Sequence, residues 1–223
     1  MRLTREQQQA ETRDRVLAAA TTTFLEKGFH GTTMAAVAET AGFTSGAIYS
    51  NFANKEDLVL AVLDRHAAER SRLLAEALSS ARTLEDLLAR VSRWFGSLIE
   101  TNPEWPVLQI DLALNTRHNP ALRPKLRERH RAIQAALAQV LRDQSSRFGV
   151  DLPLDADTLA SAIHGLGEGL AVQRLLDPAT RAADVFHQSL TILLPVPGPA
   201  SRAGRISGPA SRAGRRRGEM EER

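Results

Sequence analysis

The sequence predicts an all-α protein of about nine helices, three short ones at the front and six mostly longer ones behind. Three observations carry that expectation: apolar residues recur at helical spacing through the first 194 positions, no stretch alternates with period two, and no hairpin dipeptide separates β-branched runs. Val16, Leu17, Ala20 and Phe24 share one face of a first helix, and Gly28 stands where a C′ residue would stop it. Met34, Val37, Ala38 and Ala41 follow the i, i+3, i+4, i+7 pattern of a second, ended by Gly42. A short element over 44–51 comes next, with Ile48 and Phe52 on one side. Asn54 is placed to N-cap a long helix reaching about Ser80, whose acidic first turn, Glu56 and Asp57, suits the helix dipole. Helices over 83–101, 104–116, 120–148, 155–176 and 179–194 complete the chain. Pro103, Pro120 and Pro178 are each expected to open the following helix at its first position.

Of 223 residues, 43% are apolar and 25% charged, the profile of an ordinary globular protein with a substantial core. The absence of cysteine excludes a disulfide framework, a thiol nucleophile and every cysteine-based metal site. No apolar run approaches the roughly 18–20 residues of a membrane span, and residues 1–15 are too polar for a signal peptide, so a cytoplasmic protein is expected. The net charge of +3 is unevenly placed: residues 195–223 hold seven arginines and three glutamates, which leaves −1 for residues 1–194. A claim of DNA binding must therefore rest on local placement of residues and not on bulk charge. In the tail GPASRAGR recurs at 198–205 and 208–215, and this Pro-, Gly- and Arg-rich stretch is expected to be disordered.

The informative segment lies between Thr32 and Asp57. Two short amphipathic helices joined at Gly42-Phe43 describe a helix-turn-helix, with Gly42 supplying a positive φ and Phe43 plugging the turn. The second of them is unusual for a core element, because Thr44, Ser45, Gly46, Ala47, Ser50 and Asn51 are all small or polar. Small residues there let a backbone approach base edges in a major groove. Tyr49 reads either as part of that surface or as packing against the fourth helix.

The residues 12–60 resemble the N-terminal domain of the tetracycline-repressor (TetR) family of bacterial transcriptional regulators. The resemblance is carried, in order and in register, by Val16-Leu17 through Phe24, Gly28-Phe29, Thr32-Thr33, Val37-Ala38, Ala41-Gly42, the box at 48–52 and Lys55-Glu56-Asp57-Leu58. It implies that residues 1–54 form a DNA-binding domain and 55–194 a helical effector-binding and dimerisation domain. It implies further that Thr33, Tyr49, Ser50 and Lys55 lie against phosphates, while Thr44, Ser45, Gly46 and Ala47 face bases. Ser45 and Ser50 depart from the family, many members of which carry Lys or Arg and His there. Fewer charged contacts, a smaller salt slope and some reliance on DNA shape are expected in consequence. Arg2, Arg5 and Arg13 of the N-terminal arm read as solvated, with partial compensation for those contacts as the alternative.

Both tryptophans fall behind this domain. Trp94, Leu98, Trp105, Leu108, Gln109, Leu112 and His164 are the candidate lining of a ligand pocket, apolar with a few polar groups. No charged residue stands out among them, so an apolar or aromatic effector is expected. His164 and Glu168 have an i, i+4 spacing compatible with a metal, but no third ligand is evident; neither metal nor cofactor is expected. Gly165, Leu166, Gly169, Leu170, Phe186 and Leu190 are the candidate interface of a homodimer, which reading an inverted-repeat operator would require. The run Arg123, Lys125, Arg127, Arg129 and Arg131 reads as solvated surface, since alternate residues of a helix do not share a face. These expectations add up to a dimeric repressor released from DNA by a small molecule. An activator, a regulator without an effector, and a helical enzyme or lipid carrier are the rivals. The last is opposed by the lack of paired carboxylates, a nucleophile motif or a phosphate loop.

Overall fold

The computed structural model describes residues 4–101 and 103–194, and Arg2 and the expected disordered tail lie outside them. Among the described residues the chain forms α1 (Arg5–Gly31), α2 (Met34–Ala41), α3 (Ser45–Tyr49), α4 (Lys55–Ser80), α5 (Leu84–Thr101), α6 (Glu104–Asn115), α7 (Leu122–Phe148), α8 (Ala156–Leu176) and α9 (Ala182–Leu193). No helix in this part is long and apolar enough to cross a membrane.

Side-chain oxygens satisfy orphan amides where most of these helices begin. Thr4 and Gln7 form a reciprocal capping box at α1, while Thr33, Thr44, Asn54 and Asp155 accept from the amides of Ala36, Ala47, Asp57 and Thr158. Gly28 takes φ 67° and breaks α1 one turn before its end. Gly42 takes φ 69° and ends α2, its amide bonding back to the carbonyls of Ala38 and Glu39. The prolines depart from expectation, for none holds a first helical position. Pro103 is the N-cap of α6. Pro120 and Pro178 instead sit second in β-turns closed by Leu122 N–H to Asn119 C=O and Thr180 N–H to Asp177 C=O. Their fixed φ favours that turn position as strongly as it favours a helix start.

Two apolar cores hold the helices. The front core joins Val16, Ala20 and Phe24 of α1, Val37 of α2 and Ile48 of α3 to Leu58, Val59 and Val62 of α4. Trp105, Leu108 and Leu112 of α6, and Leu122 at the start of α7, belong to the same cluster. The rear core gathers Leu87, Leu88 and Phe95 of α5, Leu141 of α7, Leu159 and Leu170 of α8, and Phe186 and Leu190 of α9. Thus α4 begins at residue 55, where the second domain was expected, yet its first half packs with the front helices. Close approach fixes α5 on α9: a Cβ added at Gly96 would lie 2.9 Å from that of Ala183.

Leu108 and Leu112, expected in the ligand pocket, are 2% and 0% exposed and point into the front core, away from the cavity described below. Trp105 belongs to both the front core and the chamber lining, and Gln109 lies beside it toward the chamber, so the boundary between core and chamber runs along α6 at Trp105. Leu112→Ala should therefore cost roughly 2–5 kcal/mol in urea melts without altering ligand binding. A loss below about 1 kcal/mol would contradict this placement.

Candidate DNA-reading head and ligand chamber

The short α3 is anchored by its inner face. Ile48 is fully buried and Phe52, just beyond the helix, is 4% exposed, which turns the opposite side outward. Thr44, Ser45, Gly46 and Ser50 are exposed there, Ala47 is half-buried, and Tyr49 is 55% exposed. More than half of Tyr49 is in solvent. Thr33, at the exposed start of α2, also faces outward. Arg13 buttresses the head from α1, donating to the carbonyl of Asn51 at 3.2 Å and covering the ring of Phe52 at 4.3 Å. Arg15 does the same for the turn, over Phe43 at 4.5 Å. Arg5 is exposed at the start of α1.

Lys55 is engaged otherwise than expected. Its ammonium donates to the carbonyls of Phe29 at 2.8 Å and Thr32 at 3.0 Å, and lies 4.3 Å from the centre of the Phe29 ring. The end of α1 at Gly31 leaves these carbonyls without helical partners, and a cation beside it satisfies them. The amide of Phe29 donates in turn to Asp111 Oδ2 of α6 at 3.0 Å. One broken helical turn is thus tied to α4 on one side and to α6 on the other.

The basic run on α7 divides between two faces. Lys125 pairs with Asp57 at 2.6 Å, and Arg129 pairs with Asp64 and donates to the carbonyl of Leu63 at 2.8 Å. Arg123, Arg127 and Arg131 remain exposed. Three of the five are solvated surface as expected, and the other two clasp α7 to α4.

Behind the head, α4 to α8 enclose an open chamber of about 1260 Å³, with α9 contributing at its floor. Of the expected lining, Trp94, Leu98, Trp105, Gln109 and His164 are present. Sequence reasoning missed the wall supplied by α4, which includes His66, Arg70, Leu74 and Leu78. The helical period of α4 gives no sign of which neighbour its second half meets. His66 lies flat on Trp105, ring centres 3.7 Å apart, and burial, with Arg70 nearby, lowers its pKa to about 4. His164 shares a hydrogen bond of 3.0 Å with Gln134 and stands 3.7 Å from Glu168. Burial lowers its pKa against the opposing pull of Glu168, and His130 and Arg70 lower it further. Among the described residues no three potential ligands converge on a metal position.

The expected dimer residues separate into two groups. Leu170, Phe186 and Leu190 are 3%, 4% and 2% exposed and belong to the rear core of one protomer, Phe186 stacked on Phe95 at 4.2 Å. Their apolar spacing signalled burial without naming the surface they bury against. Gly165 and Gly169 are exposed, with nothing within 4 Å of an added Cβ, and Leu166 is half-buried. Leu176 and Ile192 stand out furthest, at 81% and 78% exposure.

Comparisons with known proteins agree with this architecture. Residues 16–62 match the family described as bacterial regulatory proteins, tetR family, and residues 84–194 match the C-terminal region of BetI-type transcriptional repressors. The HTH-type transcriptional repressor AcnR of Corynebacterium diphtheriae is 26% identical over 182 residues, covering 80% of this chain and 90% of AcnR. A crystal structure described as a TetR-family regulator from a Rhodococcus species superposes with TM-score 0.71 at 22% identity, covering 83% of this chain and 99% of that one. The regulator FadR of Bacillus subtilis, solved in complex with stearoyl-CoA, does so with TM-score 0.66 at 22% identity, covering 82% and 97%.

If Lys55 ties the head together, Lys55→Met should lower stability by roughly 1.5–3 kcal/mol, the worth of charge-assisted hydrogen bonds, and leave the salt dependence of DNA binding unchanged. A salt slope smaller by about one, with stability intact, would return Lys55 to a phosphate contact.

Proposed function

The chain belongs to the TetR family of bacterial regulatory proteins and is a DNA-binding transcriptional regulator; from that premise we propose that it is a homodimeric repressor that leaves its operator when a small molecule fills the chamber. Residues 1–54 present the reading head, and residues 55–194 take the effector and pair with a second copy. Thr44, Ser45, Gly46 and Ala47 face base edges in a major groove, while Thr33, Tyr49 and Ser50 lie against the phosphates beside it. The exposure of these side chains, with Ile48 and Phe52 buried behind them, supports that assignment. With no lysine or arginine on α3 itself, the head depends on close fit and DNA shape more than on charge. Its place of work is the cytoplasm, where the DNA is.

The observation that carries the release mechanism is the double role of α6. Trp105 and Gln109 line the chamber, while Leu108 and Leu112 fill the front core and Asp111 holds the Phe29 amide. A ligand that fits better when α6 and α4 are displaced favours a placement of the heads that no longer matches two half-sites. It shifts the population only by its differential affinity for the two states. FadR, solved with stearoyl-CoA, supports the idea that this scaffold can hold a long apolar ligand.

Pairing uses the exposed face of α8 and α9, where Gly165 and Gly169, which also reach the edge of the chamber, admit close backbone approach and Leu176 and Ile192 supply apolar area. Light scattering should find a dimer for the native chain and a monomer for the Leu176→Asp, Ile192→Asp double variant. A native monomer, or a variant dimer of unchanged affinity, would overturn this interface. Selection of bound duplexes from a random pool should recover an inverted repeat, and Tyr49→Ala should lose it. No enrichment at low salt, or the same repeat bound equally well by Tyr49→Ala, would contradict the reading head.

A further inference from the structure

Arg70 is the anomaly of the chamber. It projects from α4 into a cavity whose walls are mostly leucine, valine and aromatic, with its guanidinium carbon 5.7 Å from the Trp94 ring centre. Burial pulls its pKa below the usual arginine value, and among the described residues it has neither an ion pair nor a hydrogen-bond acceptor. The other fixed cations of the lining are neutralised, Lys125 by Asp57 and Arg129 by Asp64. The carboxylates that reach the lining, Asp64, Glu128 and Glu168, are exposed at its rim, and Glu168 faces His164. Beside Arg70 the indole Nε1 of Trp94, a donor, is buried without a partner.

A guanidinium does not deprotonate to escape burial, so Arg70, half-buried and without a counter-charge, is stabilised when an anion meets it. His66 and His164 both have lowered pKa values and are neutral near pH 7, so Arg70 adds one unbalanced positive charge to the interior. A single negative charge matches it, and a planar carboxylate matches the two parallel N–H groups of the fork. We propose that the effector is an amphipathic monocarboxylate, its apolar body against Leu74, Leu87, Leu88, Val91, Phe95 and Leu98 and its head on the Arg70 guanidinium, with the Trp94 indole N–H as a further donor. This refines the expectation of an apolar effector by giving it one acidic end, and it rests on reading the chamber as the effector site.

Trp94 and Trp105 are the only tryptophans of the chain and both line the chamber, so intrinsic fluorescence reports its occupancy. Dodecanoate, dodecanol and dodecyltrimethylammonium, each kept below its aggregation concentration, are titrated into the full chain and into Arg70→Met and Arg70→Lys. The native chain should bind dodecanoate roughly 10–100-fold more tightly than dodecanol, the worth of a charge-assisted hydrogen bond, and bind the cation worst. Arg70→Met should abolish that preference while leaving dodecanol affinity unchanged, and Arg70→Lys should keep part of it. Equal affinity for dodecanoate and dodecanol in the native chain, or a preference that survives Arg70→Met, overturns the assignment and leaves the chamber as an effector site for neutral ligands. Fluorescence indifferent to all three ligands overturns the chamber reading as well. If Arg70→Met fails to fold, as far-ultraviolet circular dichroism would reveal, the three head groups on the native chain still decide the question.

Discussion

Phe29 is the residue on which this architecture turns. Gly28 breaks α1 just before it, which frees the Phe29 backbone from the helix and offers it to two other elements. Its N–H goes to Asp111 of α6, and its C=O goes to Lys55 of α4. The ring, 2% exposed, lies parallel to Phe24 at 6.3 Å and beneath the Lys55 ammonium. A continuous α1 would have kept the Phe29 N–H for its own ladder, and Asp111 would have lost that donor. The glycine supplies the positive φ that makes the exchange of partners inexpensive.

From that junction the two cores are linked by α4 and α6, each of which has one side in the front core and one on the chamber. In α6 Leu108 and Leu112 lie in the front core, Gln109 lines the chamber, and Trp105 belongs to both. In α4 it runs along the length: Leu58, Val59 and Val62 serve the head, while His66, Arg70 and Leu74 serve the chamber. The clasps Lys125–Asp57 and Arg129–Asp64 hold α7 to α4 across this transition. A ligand wedged among His66, Trp105 and Arg70 therefore presses on the two helices that carry the head. These ion pairs are partly exposed and individually weak, which suits elements required to shift.

Much of this was legible in the sequence because it is local. The apolar period of Met34, Val37, Ala38 and Ala41, the stops at Gly28 and Gly42, and the cap at Asn54 depend on neighbours within a turn or two, and each stands where the pattern placed it. What the sequence did not disclose depends on residues far along the chain. The period of α6 marked Leu108 and Leu112 as buried without saying that α1 buries them. The same holds for Leu170, Phe186 and Leu190, whose apolar spacing fits a protomer core as well as an interface. Lys55 looked free for a phosphate because nothing near it in sequence announces that the carbonyls of Phe29 and Thr32 are unpaired. Nothing near Arg70 in sequence marks it as chamber lining, because the helices that close around it, from α5 onward, lie far along the chain.

In the proposed release mechanism the chamber and the reading head are coupled through the α6 contact with Phe29. Its most direct test is the ratio of operator affinities with and without a saturating chamber ligand, compared between the native chain and Asp111→Ala. Linkage makes that ratio the coupling itself, independent of either affinity alone. Asp111→Ala should still bind operator and ligand, with the ratio falling toward one. A ratio equal to that of the native chain would show that the signal bypasses Asp111, and the mechanism drawn through α6 would be wrong.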